Sequence, residues 1–285
     1  MLYTLTDILR PARENGFAVP AFNVGSDVLA RAVLDECAEK EAPVILALYP
    51  RELTFCGREF VRYLLDLASS ARIPVCVHYD HGAGFAEVMA AISYGFSSVM
   101  IDASRLPFAE NLALTKKVVE AAHYAGVSVE AELGTISQAD GTGALPELYT
   151  DPALARSFAE ESGADALAVS VGTRHGVYPK DAVPTLRLDL LREIRRLTDI
   201  PLVLHGGSSN ADEEISAAAR AGASKINISS DIKVAFFNKC REILRDEKQQ
   251  EPPEIYPLCM DAVRQVAAHK LSVFGAAGKA ALYVN

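Results

Sequence analysis

Eight short apolar runs, each bounded by turn-forming residues and separated from the next by a stretch of helical period, constrain this chain more than any other feature. They read AVPAFNV (18–24), PVILAL (43–48), PVCVHY (74–79), SVMID (98–102), VSVEAEL (127–133), ALAVSV (166–171), PLVLH (201–205) and KINIS (225–229). Helix-period stretches lie between them at 27–40, 58–71, 85–94, 109–125, 152–162, 189–197, 212–221 and 232–244. Three runs open on proline, whose missing N–H is tolerated at the first residue of a strand.

Eight strands alternating with eight helices predict an α/β fold, a closed (β/α)8 TIM barrel, rather than an open doubly wound sheet. An open sheet of the dinucleotide-binding type would carry an early glycine-rich turn, and none is present. A chain of 285 residues with 50% hydrophobic content can bury one large core, so 1–285 reads as a single domain. The tail 256–271 reads as an extra C-terminal helix. The longest gap, 134–149, follows the fifth strand and is rich in Gly, Thr and Ser, the position and composition of a lid.

A net charge of -9 leaves no basic field for a nucleic acid. Anionic small molecules stay open, because a metal or a few backbone amides set a local potential against the overall charge. The five cysteines are odd in number and include no CxxC pair, which argues against a disulfide framework or a cysteine-rich zinc knuckle and for a reducing compartment. No basic-then-apolar leader and no membrane-length apolar run is found, so the expectation is a cytoplasmic protein with no membrane partner.

Three of the six histidines stand directly before glycine: His81, His175 and His205. They fall at or just beyond the carboxyl ends of predicted strands three, six and seven, which converge on one face of a barrel. Convergent imidazoles with an open position make a catalytic metal site, for which Zn2+ is the best-suited ion. Taken singly, each histidine reads more simply as a polar loop residue; it is the shared placement that favours a site. His78 reads as a hydrogen-bonding support, and His123 and His269 as solvated helix residues. Asp80, beside His81, suits a proton acceptor poised near a metal-bound substrate, the alternative being an orienter of a ligand histidine. Glu132 and Asp102, ending the fifth and fourth strands, read as supports behind the ligands or as alternate metal contacts.

Two turns rich in glycine and hydroxyls, HGGSSN (205–210) and NISSD (227–231), follow strands seven and eight, where barrels commonly bind phosphate. Each doubles as a possible helix cap, with Ser230 or Asp231 serving one helix and Asn210 or Asp212 its neighbour.

With these residues in view, the chain resembles the class II ketose-bisphosphate aldolases, in the branch containing the fructose- and tagatose-1,6-bisphosphate enzymes. The resemblance runs over nearly the whole chain and rests on PAFNV (20–24), YDHG (79–82), SVMIDAS (98–104), PFAEN (107–111), VSVEAELGT (127–135), HGVY (175–178), PLVLHGGS (201–208) and KINIS (225–229). MDAV (260–263) and DIKVAF (231–236) lean towards the tagatose type. The resemblance implies Zn2+ on His81, His175 and His205, and Asp80 as the acid/base at the hydroxyl that loses its proton when the carbon–carbon bond breaks. It implies that Gly176, Lys180, Gly206, Gly207, Ser208, Asn227, Ile228, Ser229 and Ser230 hold the dihydroxyacetone phosphate half, with a bound monovalent cation, Na+ or K+. It also implies a homodimer or homotetramer.

The sequence departs from the family pattern at several points. The Gly-Gly-x-Glu-Asp stretch of relatives is replaced by ISQADG (136–141), which removes the usual lid glutamate and leaves Asp140 or Glu147 as substitutes out of position. Tyr49 stands where the second strand usually ends in Ser or Thr, and Arg174 before His175 is unusual: it either meets an anionic substrate group or is a solvated charge. The rival readings are a metal-dependent barrel hydrolase, which lacks its paired histidines on the first strand, and a noncatalytic or altered-specificity sugar-phosphate-binding protein. A Schiff-base aldolase lacks a suitable lysine, since Lys225 begins rather than ends its strand.

Overall fold

The computed structural model describes residues 1–136, 149–176 and 185–283. Eight parallel strands close into a barrel in chain order: β1 (Val19–Asn23), β2 (Val44–Leu48), β3 (Val75–Gly82), β4 (Ser98–Ile101), β5 (Ser128–Leu133), β6 (Ala166–Val169), β7 (Leu202–Leu204) and β8 (Ala223–Ile228). The seam is made by β1 and β8, in register from Val19 opposite Lys225 to Phe22 opposite Ile228. Every strand is buried along nearly its whole length, as expected where helices cover the outer face and side chains fill the inner one. The fold is the α/β barrel that the alternation of runs predicts.

The outer ring comprises α2 (Asp27–Glu39), α4 (Arg58–Ser70), α5 (Phe85–Tyr94), α6 (Phe108–Tyr124), α7 (Pro152–Ser162), α8 (Leu188–Leu197), α9 (Asp212–Ala221) and α10 (Ser230–Ile243). The C-terminal helix is α11 (Pro252–Val273), which packs on α2 and α10. Among the described residues, no helix is long and apolar enough to cross a membrane.

Two helices were not foreseen. Helix α1 (Leu5–Asn15) starts at Thr4, whose hydroxyl accepts from the Asp7 amide, and ends at Gly16 in a left-handed conformation. It buries Leu5, Ile8, Leu9 and Ala12 against β1, β3, β5 and β8, so it lies across the end of the barrel where the strands begin. Helix α3 (Pro50–Cys56) is a short turn of helix directly after β2, opened by Tyr49 and Pro50.

The capping expectations are corrected. Helix α10 begins at Ser230 with no side-chain cap, and Asp231 instead accepts from the Ser209 amide and pairs with Lys270 at 2.8 Å. Asn210 turns inward and donates to the carbonyls of Gly206 and Ser208, so α9 also begins without a side-chain cap. These polar side chains hold the two turns in shape rather than ending the helices.

The lower closure is completed by a 3-10 turn, Lys279–Tyr283. Tyr283 donates its hydroxyl to the Ile8 carbonyl at 2.7 Å, and Tyr3 donates to the Tyr283 carbonyl at 2.8 Å. Tyr283→Phe removes one buried hydrogen bond at the end of the barrel away from the strand carboxyl termini. It should lower stability by about 1 kcal/mol in urea unfolding and leave turnover unchanged. Loss of turnover at full folding would show that the two ends of the barrel are coupled.

Candidate active site and metal centre

A cavity of about 470 Å³ opens at the carboxyl ends of the strands. Its floor is set by β3, where one irregularity decides the chemistry. Side chains alternate along a strand, so Asp80 and His81 would ordinarily point to opposite faces. The pairing of β3 with β4 shifts register between Tyr79 and Gly82, and His81 takes a φ of 55°, in the left-handed region uncommon for a residue with a side chain. Both Asp80 and His81 therefore line the cavity, while Tyr79 packs outward on Phe96.

His81, His175 and His205 meet there, each ring roughly edge-on to the other two, with centroids 4.5 to 5.7 Å apart. Their facing nitrogens lie within 4.8 Å of one another. His205 has its Nε2 at 2.8 Å from Glu130 and its Nδ1 at 2.9 Å from His81 Nε2. The Nδ1 of His81 is in turn 3.0 Å from Asp102. A carboxylate only accepts, so in the neutral rings the protons sit on His205 Nε2 and His81 Nδ1. Two lone pairs then face each other across 2.9 Å, and something positive must lie between them.

Without a metal a proton does this: burial works against it, but Asp80 and Asp102 raise the His81 pKa to about 9, so that it donates to His205. The third ring, His175, has its Nε2 buried with no hydrogen-bond partner among the described residues. Burial and the neighbouring His81 push its pKa down to about 3, which keeps a free lone pair. Three convergent lone pairs, each backed or left open in this way, fit a divalent cation. His81, Asp102 and Glu132 form a second grouping with ligand-range geometry that shares His81 with the first.

Asp80 sits beside this centre, 2% exposed, and receives Asn23 Nδ2 at 3.0 Å and Asn227 Nδ2 at 3.1 Å. Burial alone would raise its pKa, but His81, Lys225 and His205 hold it well below the usual carboxylate range. Glu132 is different: burial, then Asp102, push its pKa up to about 8. Asp80 and Glu132 are thus pushed in opposite directions, the first towards its ionised and the second towards its neutral form.

Gly176, Gly206, Ser208, Asn227, Ser229 and Ser230 form a further part of the cavity wall. Gly207 and Ile228 lie behind that wall instead. Ile228 is fully buried, and a Cβ on Gly207 would come within 2.5 Å of Ile226, so this glycine lets the turn pack against β8. Gly206, at φ +67°, passes so close to the Arg174 backbone that a Cβ would lie 2.4 Å from its carbonyl oxygen. This contact locks the loops that carry His175 and His205 together.

Tyr49 also lines the cavity; its ring has the Lys233 ammonium 5.3 Å from the centroid, and Lys233 bonds Glu52 at 2.6 Å and Ser229 at 2.9 Å. Arg105 is the one lysine or arginine among the described lining residues, and Arg174 is exposed just before His175. His123 and His269 lie on helices as expected, paired with Asp165 and Asp212. Lys180, Asp140, Glu147 and most of the 134–149 segment lie outside the described residues.

Sequence reasoning missed Asn23 and Glu130, and it read Lys225 only as the first residue of its strand, whereas β8 begins at Ala223 and Lys225 lies inside it. Asn23 sits inside a run read only as a strand. Glu130 and Lys225 were detectable as charged residues within apolar strands, two positions before Glu132 and Asn227 and so on the same inward face. Lys225 is 0% exposed and bonded to Glu130 at 2.7 Å, which leaves its ammonium committed to an ion pair rather than open to a carbonyl substrate.

The model of the family described as fructose-bisphosphate aldolase class-II matches residues 3–279. The fructose-bisphosphate aldolase of Thermus caldophilus is 38% identical over 305 residues, covering 98% of this chain and all of that protein. The crystal structure of the YdjI aldolase from Escherichia coli K12 superposes with a TM-score of 0.88 at 33% identity, covering 98% of this chain and 100% of the other. The fructose-bisphosphate aldolase of Campylobacter jejuni, at 22% identity and a TM-score of 0.80 over 97% of this chain and 96% of its own, shares the fold. A barrel mouth carrying three histidines beside a buried aspartate is thus joined to a match along almost the full length, and the chain belongs to the class II fructose-bisphosphate aldolase family of lyases.

Proposed function

We propose that the protein is a zinc-dependent aldolase that cleaves a phosphorylated ketose by a retro-aldol reaction. The substrate is a ketose 1,6-bisphosphate of the tagatose or fructose type, or a related ketose 1-phosphate. The products are dihydroxyacetone phosphate and an aldehyde such as glyceraldehyde 3-phosphate. The observation that carries this reading is the set of facing imidazole nitrogens on His81, His175 and His205 with an ionised Asp80 alongside.

These three histidines would hold the ion, which when bound supplies Lewis-acid stabilisation of the negative charge developing on the ketose oxygen. Asp80 takes the proton from the hydroxyl on the carbon that becomes the aldehyde. As that O–H bond breaks and the new carbonyl forms, the adjacent carbon–carbon bond opens, and its electron pair passes to the three-carbon half. That half then takes up one proton to leave as triose phosphate. The amides of Asn23 and Asn227 fix the Asp80 carboxylate, so that a proton is transferred without a search over rotamers.

Gly176, Gly206, Ser208, Asn227, Ser229 and Ser230 would receive the phosphate end, where the amino terminus of α10 favours an anion. Ser208 supports this by accepting from the Ser229 amide at 3.2 Å, which joins the two turns into one wall. Apolar residues left exposed on and near α10 and α11, among them Val234, Phe237, Leu244, Tyr256 and Leu258, favour a homo-oligomer.

Asp80→Ala should retain one zinc per chain and lose activity by about 10²- to 10⁴-fold, measured by triose phosphate release alongside metal analysis. His205→Ala should lose the metal; zinc retained at wild-type affinity would remove His205 from the ligand set. A panel of ketose phosphates, assayed with and without chelator, should give metal-dependent triose phosphate release. Tight binding without turnover of any member would instead favour a noncatalytic sugar-phosphate binder. Borohydride with substrate should leave no covalent adduct, whereas trapping on a lysine would replace the metal mechanism with a Schiff base.

A further inference from the structure

Beneath the three histidines, the barrel interior holds an ion pair that the proposed chemistry does not use. Lys225 on β8 and Glu130 on β5 are both 0% exposed and bonded at 2.7 Å. Burying two charges here is costly, and such a pair adds little stability over well-packed apolar side chains of the same size. The location offers another reason for it. The second oxygen of Glu130 lies 2.8 Å from His205 Nε2, on the far side of the ring from His81.

We propose that the Lys225–Glu130 pair is a positioning device that fixes the tautomer of His205, so that its Nδ1 lone pair is always presented to the cation site. The inference rests on the reading that the three imidazoles hold a divalent ion. Neutral imidazole can carry its proton on either nitrogen, and only the form with hydrogen on Nε2 leaves Nδ1 free to bind a metal. Glu130 enforces that form because its Oε1 lies 2.8 Å from Nε2 and a carboxylate oxygen accepts and does not donate. Lys225 holds the carboxylate in that orientation by donating to its other oxygen at 2.7 Å. The remaining neighbours of Glu130 do not replace it: His78 Nε2 lies 3.6 Å away and has no hydrogen-bond partner among the described residues, while the His78 Nδ1 is engaged with Ser98 at 2.9 Å.

The proposal separates two functions that hydrogen bonding to a ligand can serve. A merely structural pair would hold the barrel together and leave the proton on His205 indifferent. A positioning pair decides which nitrogen carries it. The test begins with the metal-free wild-type protein labelled with 15N-histidine, the His205 signals being assigned by comparison with His205→Gln. Long-range 1H–15N spectra should place the His205 proton on Nε2; a proton on Nδ1 would overturn the proposal, whatever the behaviour of any variant.

The second arm uses Glu130→Gln/Lys225→Met, which keeps side-chain length but removes both charges and lets the amide either donate or accept. Circular dichroism should show a folded barrel, the spectra should show mixed His205 tautomers, and zinc affinity by chelator competition should fall about 10- to 100-fold. A folded double variant that binds zinc within about twofold of wild type would overturn the proposal while leaving the three-histidine site intact. Wild-type protein that binds no zinc would remove the metal-site reading itself, and the proposal with it. If the double variant does not fold, the wild-type spectrum decides alone.

Discussion

Everything at the mouth of this barrel depends on the hydrogen-bonded seam between β1 and β8. An open sheet would leave those strands as distant edges, with Asn23 and Asn227 far apart. Closure sets Ala21 opposite Asn227 and brings both amides to Asp80, which lies on a strand neither of them adjoins. The same closure places Lys225 across the interior from Glu130. Pro20 lies at the second position of β1, opposite Ile226 in the seam and before pairing with β2 begins at Ala21. The bonds of Asp80 to Asn23 and Asn227 and of Glu130 to Lys225 are thus products of ring geometry and join residues far apart in sequence.

Much of this was legible beforehand, because the signals were periodic or clustered. The strands appear as apolar runs, and three helices, Phe85–Tyr94, Pro152–Ser162 and Asp212–Ala221, fall where the pattern places them. The three His-Gly pairs reveal the site because a strand end in a parallel barrel has only one place to point. What escaped was either too short or too irregular to read. Helix α3 spans seven residues, and α1 carries Pro11 in its interior. Strand β3 runs on to Gly82 because its bulge breaks the alternation that marks a strand. Glu130 and the pairing role of Lys225 escaped because a charge in an apolar strand looks like an error until its partner on the opposite side is known.

The cavity is chemically uneven. One wall is glycine and hydroxyl, held from behind by Asn210 and joined across its two turns by Ser208. The other end carries Tyr49, a departure from the family pattern, with the Glu52–Lys233 pair beneath its ring. Burial raises the pKa of Glu52 while Lys233 opposes it, so the aromatic ring is held by a polar support that a serine or threonine at position 49 would not need. Lys233 bonds Ser229 as well as Glu52, so the two walls share one support and a change on one side is felt on the other.

The left-handed turn at His81 has a further consequence. Asp80 and His81 are consecutive residues, so the spacing of their Cα atoms is fixed by a single planar peptide unit instead of by the packing of two independent segments. Thermal breathing of the barrel, which moves strands relative to one another, carries both groups as one piece. Their separation is insulated from it, and an irregular dipeptide supplies a rigidity that neither side chain could gain from its own rotamer.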